Sequence, residues 1–137
     1  MFTCGTIVAL EEVKTSVVMV GLIHLPHFEQ TVVAASGYSC WCDGERSRVS
    51  AGAELSRALV SAPYRVEFKR HTSTTRSNGC GICATISDGY TDCWAHVKVA
   101  TGALDALIEH CLSPWDLRAT RTSIDESGET LYASFGR

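Results

Sequence analysis

The chain has 137 residues, 45% of them hydrophobic and 20% charged, with a formal net charge of −3. That length suits one domain able to bury a core without disulfides or metals as its main support, and the composition excludes a disordered chain. The small negative charge gives no sign of a nucleic-acid binder, although it leaves room for a basic face on an otherwise acidic surface. Met1-Phe2-Thr3-Cys4 shows no secretory signal. The apolar run Val17 to Leu25 is far short of the roughly 20 residues that span a bilayer. A soluble protein made in a cytosol, without a membrane partner, is expected. Its seven cysteines then read as metal ligands, catalytic groups or buried thiols.

Two β-rich runs open the chain, Thr6 to Leu10 and Thr15 to Leu25, separated by Glu11-Glu12-Val13-Lys14. They predict an N-terminal hairpin that Pro26 stops. Gln30 to Ser36 predicts a third strand, and Tyr38 to Cys42 a fourth after a tight turn at Gly37, ending at the turn signal Asp43-Gly44. Cys40 and Cys42 share a face of that strand, where packing under a sheet is the plain reading. Ser50 to Ala62 fits either a short helix or a strand from Ala53 to Arg57 with a turn closed by Pro63.

The central unit runs from Tyr64 to Val99. Tyr64, Val66 and Phe68 alternate with Arg65, Glu67 and Lys69, so one face of this strand is apolar and the other charged. A polar loop with Cys80 and Cys83 follows, then a second predicted strand, Tyr90 to Val99. The loop is about twenty residues long, which marks it as functional or mobile. Gly102 to Leu112 has apolar residues at helical spacing, Ser113-Pro114 ends it or starts a new element, and Thr120 to Phe135 reads as a hairpin about Asp125-Glu126-Ser127-Gly128. Gly37-Tyr38, Cys40-Trp41, Val49 and Gly52-Ala53 are echoed by Gly89-Tyr90, Cys93-Trp94, Val99 and Gly102-Ala103, a pattern that a duplication would produce.

Cys80, Cys83, Cys93 and His96 are residue types that suit tetrahedral zinc. On a strand, however, Cys93 and His96 would face opposite sides. Cys80-Gly81-Ile82-Cys83 has redox spacing without the helix that activates such thiols. The five histidines form no base, nucleophile and orienter set, so no enzyme, cofactor or metal is expected. What remains is electrostatic: Arg65, Lys69, His96 and Lys98 on neighbouring strands, with Arg57 nearby, form a face able to contact phosphates. A solvated face of mixed charge is the plain alternative, and Glu67 favours it.

The order of Tyr64-Arg65-Val66, the cysteine-bearing loop, Tyr90-Thr91 with Trp94-Ala95-His96, the amphipathic stretch, Ser113-Pro114 and the terminal Phe135-Gly136-Arg137 resembles the coat proteins of single-stranded RNA bacteriophages. The resemblance covers roughly Ala53 to Leu117 and favours strand and turn for Ala53 to Pro63. It implies an α+β fold: an N-terminal hairpin, an antiparallel sheet of about five strands and a C-terminal helix. It further implies a homodimer with a continuous sheet under its helices, built into an icosahedral virion in the bacterial host cytoplasm. By this resemblance Arg65, Glu67 and Lys69 face a single-stranded RNA hairpin, joined from the Trp94 strand by either His96 and Lys98 or Val97 and Val99, with Arg57 nearby, and Cys80 and Cys83 form inter-subunit disulfides. The residues before Ala53 run longer than that pattern, and the tail adds an extra hairpin. The alternatives are a small zinc-binding or thiol-dependent domain on Cys80, Cys83, Cys93 and His96, or a tandem ββαβ binding module.

Overall fold

The computed structural model describes residues 4–52, 54, 57–62, 85–88, 93–109 and 112–132. Five strands follow one another in the first third of the chain: β1 (Thr6–Glu12), β2 (Val17–Leu25), β3 (Gln30–Ala35), β4 (Cys40–Cys42) and β5 (Glu45–Ser47). Each pairs antiparallel with the next, in the order β1-β2-β3-β4-β5. The β-branched runs and turn signals that predict these strands thus form a sheet from local hairpins alone. Between β2 and β3, Pro26–Phe28 make one 3-10 turn. The β1–β2 register shifts at Leu10/Glu11, a bulge of the kind that bends an edge strand.

A second sheet has three parallel strands in the order β7-β6-β8: β6 (Leu59–Ala62), β7 (Thr85–Asp88) and β8 (Ala106–Leu107). Two helices complete the described chain, α1 (Cys93–Ala100) and α2 (Pro114–Ser127). The core lies between the five-stranded sheet and these helices. Ile23, Leu25, Val32, Ala34 and Cys40 from the sheet meet Ala95, Val97, Val99 and Ala100 of α1 and Ile124 of α2. Cys40 is fully buried there, as the shared face of β4 implies.

Three predicted elements differ from the structure. The described part of the Tyr90 to Val99 stretch is helical from Cys93. Ala95, His96, Val97, Val99 and Ala100 are all buried, and a short run buried over most of its residues carries too little periodicity to separate helix from strand. Gly102 ends a helix instead of opening one. With φ +74 it is the left-handed residue of a Schellman motif in which the Gly102 amide donates to the Val99 carbonyl (3.0 Å) and the Ala103 amide to that of Lys98 (2.8 Å). In place of the predicted hairpin, the tail forms α2. It has Pro114 in its first turn and Gly128 (φ +105) past its end, with the Gly128 amide on Asp125 and that of Glu129 on Ile124.

The echo between the two halves is therefore no repeat, since Cys40-Trp41 lies on β4 and Cys93-Trp94 on α1. Residues 63–84, which include the charged strand Tyr64 to Arg70 and the Cys80/Cys83 loop, lie outside the described residues.

Candidate active site

α2 buries an unusual face: Ala119, Thr120, Thr122, Ser123, Ile124 and Ser127. Its hydroxyls are satisfied within the helix, Thr120 donating to the Asp116 carbonyl (2.8 Å) and Ser127 to that of Ile124 (2.8 Å). Small side chains let the helix descend onto β2, where a β-carbon on Gly21 would lie 2.4 Å from the Ala119 carbonyl oxygen. The helix is held near both ends. Arg118 pairs with Glu11 of β1, and Glu126 accepts from the Gly37 (2.7 Å) and Ser39 (3.0 Å) amides of the β3–β4 turn.

This seating opens a cleft of about 260 Å3 between β1 and the first turns of α2, lined by Ile7, Ala9, Glu11, Trp115, Asp116 and Arg118. Asp116 lies in the first helical turn, where the helix dipole favours a carboxylate. Arg118 engages Glu11, which leaves Asp116 as the carboxylate of the cleft without an ion-pair partner among the described residues. Trp115 stands beside it, 71% exposed, an aromatic face with no cover from the described residues. No group of three or more His, Cys, Asp or Glu side chains converges among those residues.

The residues singled out in the sequence lie elsewhere. Arg57 is exposed in a turn closed by its amide on the Glu54 carbonyl (2.8 Å). His96 is buried on α1 and bonds Glu109 at 3.2 Å. Lys98 lies over the Trp94 ring at 5.4 Å and donates to Gln30 at 3.5 Å. His96 and Lys98 belong to a helix and are engaged within the fold, so they form no open sheet platform. Arg65, Glu67, Lys69, Cys80 and Cys83 lie outside the described residues. Cys93 and His96 are three apart on a helix, which places them on one side, but Cys93 packs against the core and His96 has its carboxylate partner. Burial pushes the Cys40 thiol up to about 11, with Cys42 adding to the rise, and burial raises Cys42 as well. Neither is a ready thiolate at neutral pH.

Residues 3–136 match the family model described as the inositol monophosphatase family. The chain belongs to that family. It is 27% identical over 133 residues to a histidinol-phosphatase of Chlorobaculum parvum, covering 97% of this chain and 51% of that protein. It is also 27% identical over 126 residues to a fructose-1,6-bisphosphatase/inositol-1-monophosphatase of Thermotoga maritima, covering 88% and 46%. The fold matches the extragenic suppressor protein suhB from Bartonella henselae with a TM-score of 0.78 at 22% identity, over 93% of this chain and 48% of that one. The chain thus spans about half the length of the curated relatives it matches.

Membership of the inositol monophosphatase family overturns the coat-protein resemblance and what hung on it: the non-enzymatic role, the RNA partner, the self-assembling shell and the virion location. The zinc or thiol-dependent domain has no support either. The physical reason is visible in the fold. The strand through Trp94 and the helix after Gly102, which carried the resemblance, are a helix and a loop leading to β8. The α+β class with a five-stranded antiparallel sheet and helices stands, although the sheet comes from residues 6–47 and not from the central unit.

The pair Trp115-Asp116 was missed. Its signal was the start marker Ser113-Pro114 placed ahead of Gly128, a helix-length span that sets an acid in a first turn.

Proposed function

We propose that this chain takes part in the hydrolysis of a small phosphorylated alcohol, releasing inorganic phosphate. The observation that carries this reading is the family match along nearly the whole chain, joined to a cleft in which Asp116 and Trp115 open α2. The relatives bear the names of phosphatases acting on histidinol phosphate, fructose 1,6-bisphosphate and inositol 1-phosphate, each an alcohol esterified with phosphate.

The described residues suggest a division of labour. Asp116 offers a fixed carboxylate that accepts a hydrogen bond from the attacking water and turns its oxygen toward the phosphorus, because its own helix turn restrains it. Trp115 offers an apolar face on which the carbon skeleton of the alcohol rests. The Glu11–Arg118 pair keeps the helix start beside β1 and leaves Asp116 without an ion-pair partner among the described residues. A divalent cation does not fit on these residues alone, since they bring a single unpaired carboxylate to the cleft, and no step is assigned to one.

The test is phosphate release from histidinol phosphate, inositol 1-phosphate and fructose 1,6-bisphosphate, by the chain alone and together with the part of the Thermotoga maritima relative that has no counterpart here. Asp116→Asn is expected to lower any release at least about 100-fold with the thermal unfolding midpoint unchanged. Release from none of the three esters in either setting would refute the reading, and full activity in the variant would refute the role of Asp116.

A further inference from the structure

Arg118 is the one basic side chain among the described residues that line the cleft, where it stands against the carboxylates of Glu11 and Asp116. Its pairing with Glu11 holds the helix start to β1, but that bond leaves most of the group unused. A guanidinium carries five N–H donors in a planar fork, and among the described residues Glu11 engages one of its nitrogens, Nη1. The two partners are also unequally open, since the Arg118 side chain is 53% exposed and that of Glu11 23%. The arginine is therefore the member of the pair that can take a further partner from solution, and a guanidinium takes an anion.

Helix geometry says where that anion sits. Residues two apart on a helix do not face each other, whereas residues three apart are neighbours on its surface. Asp116 and Arg118 thus approach the cleft from different sides of α2, and Arg118 is the helix neighbour of Trp115. A molecule whose reacting phosphate lies at Asp116 and whose carbon skeleton rests on Trp115 brings the far end of that skeleton to Arg118.

We propose that Arg118 is a specificity-determining residue of the cleft: its guanidinium, anchored through Nη1 on Glu11, binds a second phosphate of the substrate, away from the ester that is hydrolysed. A phosphate oxygen pair matches the guanidinium fork with charge-assisted hydrogen bonds, and a neutral hydroxyl in the same place supplies only a weaker one. The inference rests on the phosphatase reading and extends it from the reacting bond to the choice of alcohol.

The experiment is calorimetric titration of the chain with fructose 1,6-bisphosphate and with fructose 1-phosphate, which differ only by the second phosphate, at about 0.15 M salt so that long-range attraction is screened. The native chain is expected to bind the bisphosphate at least about tenfold more tightly. Arg118→Ala is expected to remove that preference while its affinity for fructose 1-phosphate changes by less than about threefold. Arg118→Lys, which keeps the charge and loses the fork, is expected to restore part of the preference, and circular dichroism checks the helices of both variants. Equal affinity of the native chain for the two sugars, or a preference that survives in Arg118→Ala, would overturn the proposal. Loss of both affinities by the same factor, with nothing restored by lysine, would overturn it in favour of a role confined to seating α2. Binding is read without turnover. A chain that prefers the bisphosphate through Arg118 yet releases no phosphate would refute the phosphatase reading alone, and release without that preference would refute this inference alone.

Discussion

Gly21 lies where β2 passes beneath α2. A β-carbon there would meet the Ala119 carbonyl oxygen at 2.4 Å and the Thr122 side chain at 3.2 Å. The first neighbour is helix backbone and has little room to yield. Gly21→Ala is therefore expected to destabilise the chain by about 1–3 kcal/mol or more, read as a lower urea midpoint at constant slope; a midpoint unchanged within error would show that α2 lifts off β2 freely. Asp105 gives a pH-dependent case. It accepts from the Ser50 hydroxyl at 2.6 Å and the Leu59 amide at 2.7 Å, and these bonds hold its carboxyl below the ordinary value of 3.8.

Because the Asp105 value is depressed in the folded state, the unfolded chain takes up the proton first as pH falls. The contribution is fully present above the unfolded value of 3.8 and disappears as pH drops through the lower folded value. Urea midpoints measured from about pH 6 down to about pH 2 are expected to fall more steeply for the native chain than for Asp105→Asn. Parallel curves would mean that the two bonds do not favour the ionised form.

At the scale of elements, the two helices end alike and differ in what surrounds the end. Gly102 and Gly128 both occupy the left-handed position of a Schellman motif, so alanine at either carries the left-handed penalty of roughly 1–2 kcal/mol. A β-carbon on Gly128 touches only the Val49 side chain at 3.8 Å, whereas one on Gly102 meets the Arg48 carbonyl at 2.9 Å and the Ser50 amide at 3.0 Å. Gly102→Ala is expected to cost about 1 kcal/mol more than Gly128→Ala, because overpacking adds to the conformational term. Equal losses in parallel urea titrations would show that the Arg48–Ser50 backbone moves aside. These ends also explain why both helices were misread. α1 buries five of its eight residues, Ala95, His96, Val97, Val99 and Ala100, and α2 hides threonines and serines where a core helix usually shows leucines, so neither shows the apolar stripe that reveals a helix. The punctuation residues are the ones that helix ends require, Pro114 at a start and Gly102 and Gly128 past ends, although Gly102 reads in the sequence as a helix opening and Gly128 as a hairpin turn.

At the scale of the molecule, the five-stranded sheet is a meander of neighbours, each strand pairing with the one before it. The second sheet and the helices join segments far apart in the chain. The Ser47 hydroxyl donates to the Ala100 carbonyl at 2.8 Å and the Val49 amide to that of Ser127 at 3.1 Å, so β5 and the stretch after it tie the two helices to the sheet. With both helices on one side, the opposite face carries the row of Val8, Leu22, Val33 and Trp41. The same arrangement sets the cleft at the β1 edge of the sheet, where Ile7, Ala9 and Glu11 meet the start of α2.

The sequence by itself determined the four strands from Thr6 to Cys42, the turns between them and the burial of Cys40, because alternation, β-branching and turn residues are local signals; the α+β class came only with a resemblance that the family overturns. Only the tertiary structure decided that Cys93 to Ala100 is a helix, that the tail is α2 and that Asp116 and Trp115 meet β1 in a cleft. Those outcomes depend on burial among residues distant in the chain, and on the close approach that Gly21 and the small face of α2 allow; no local pattern encodes such contacts.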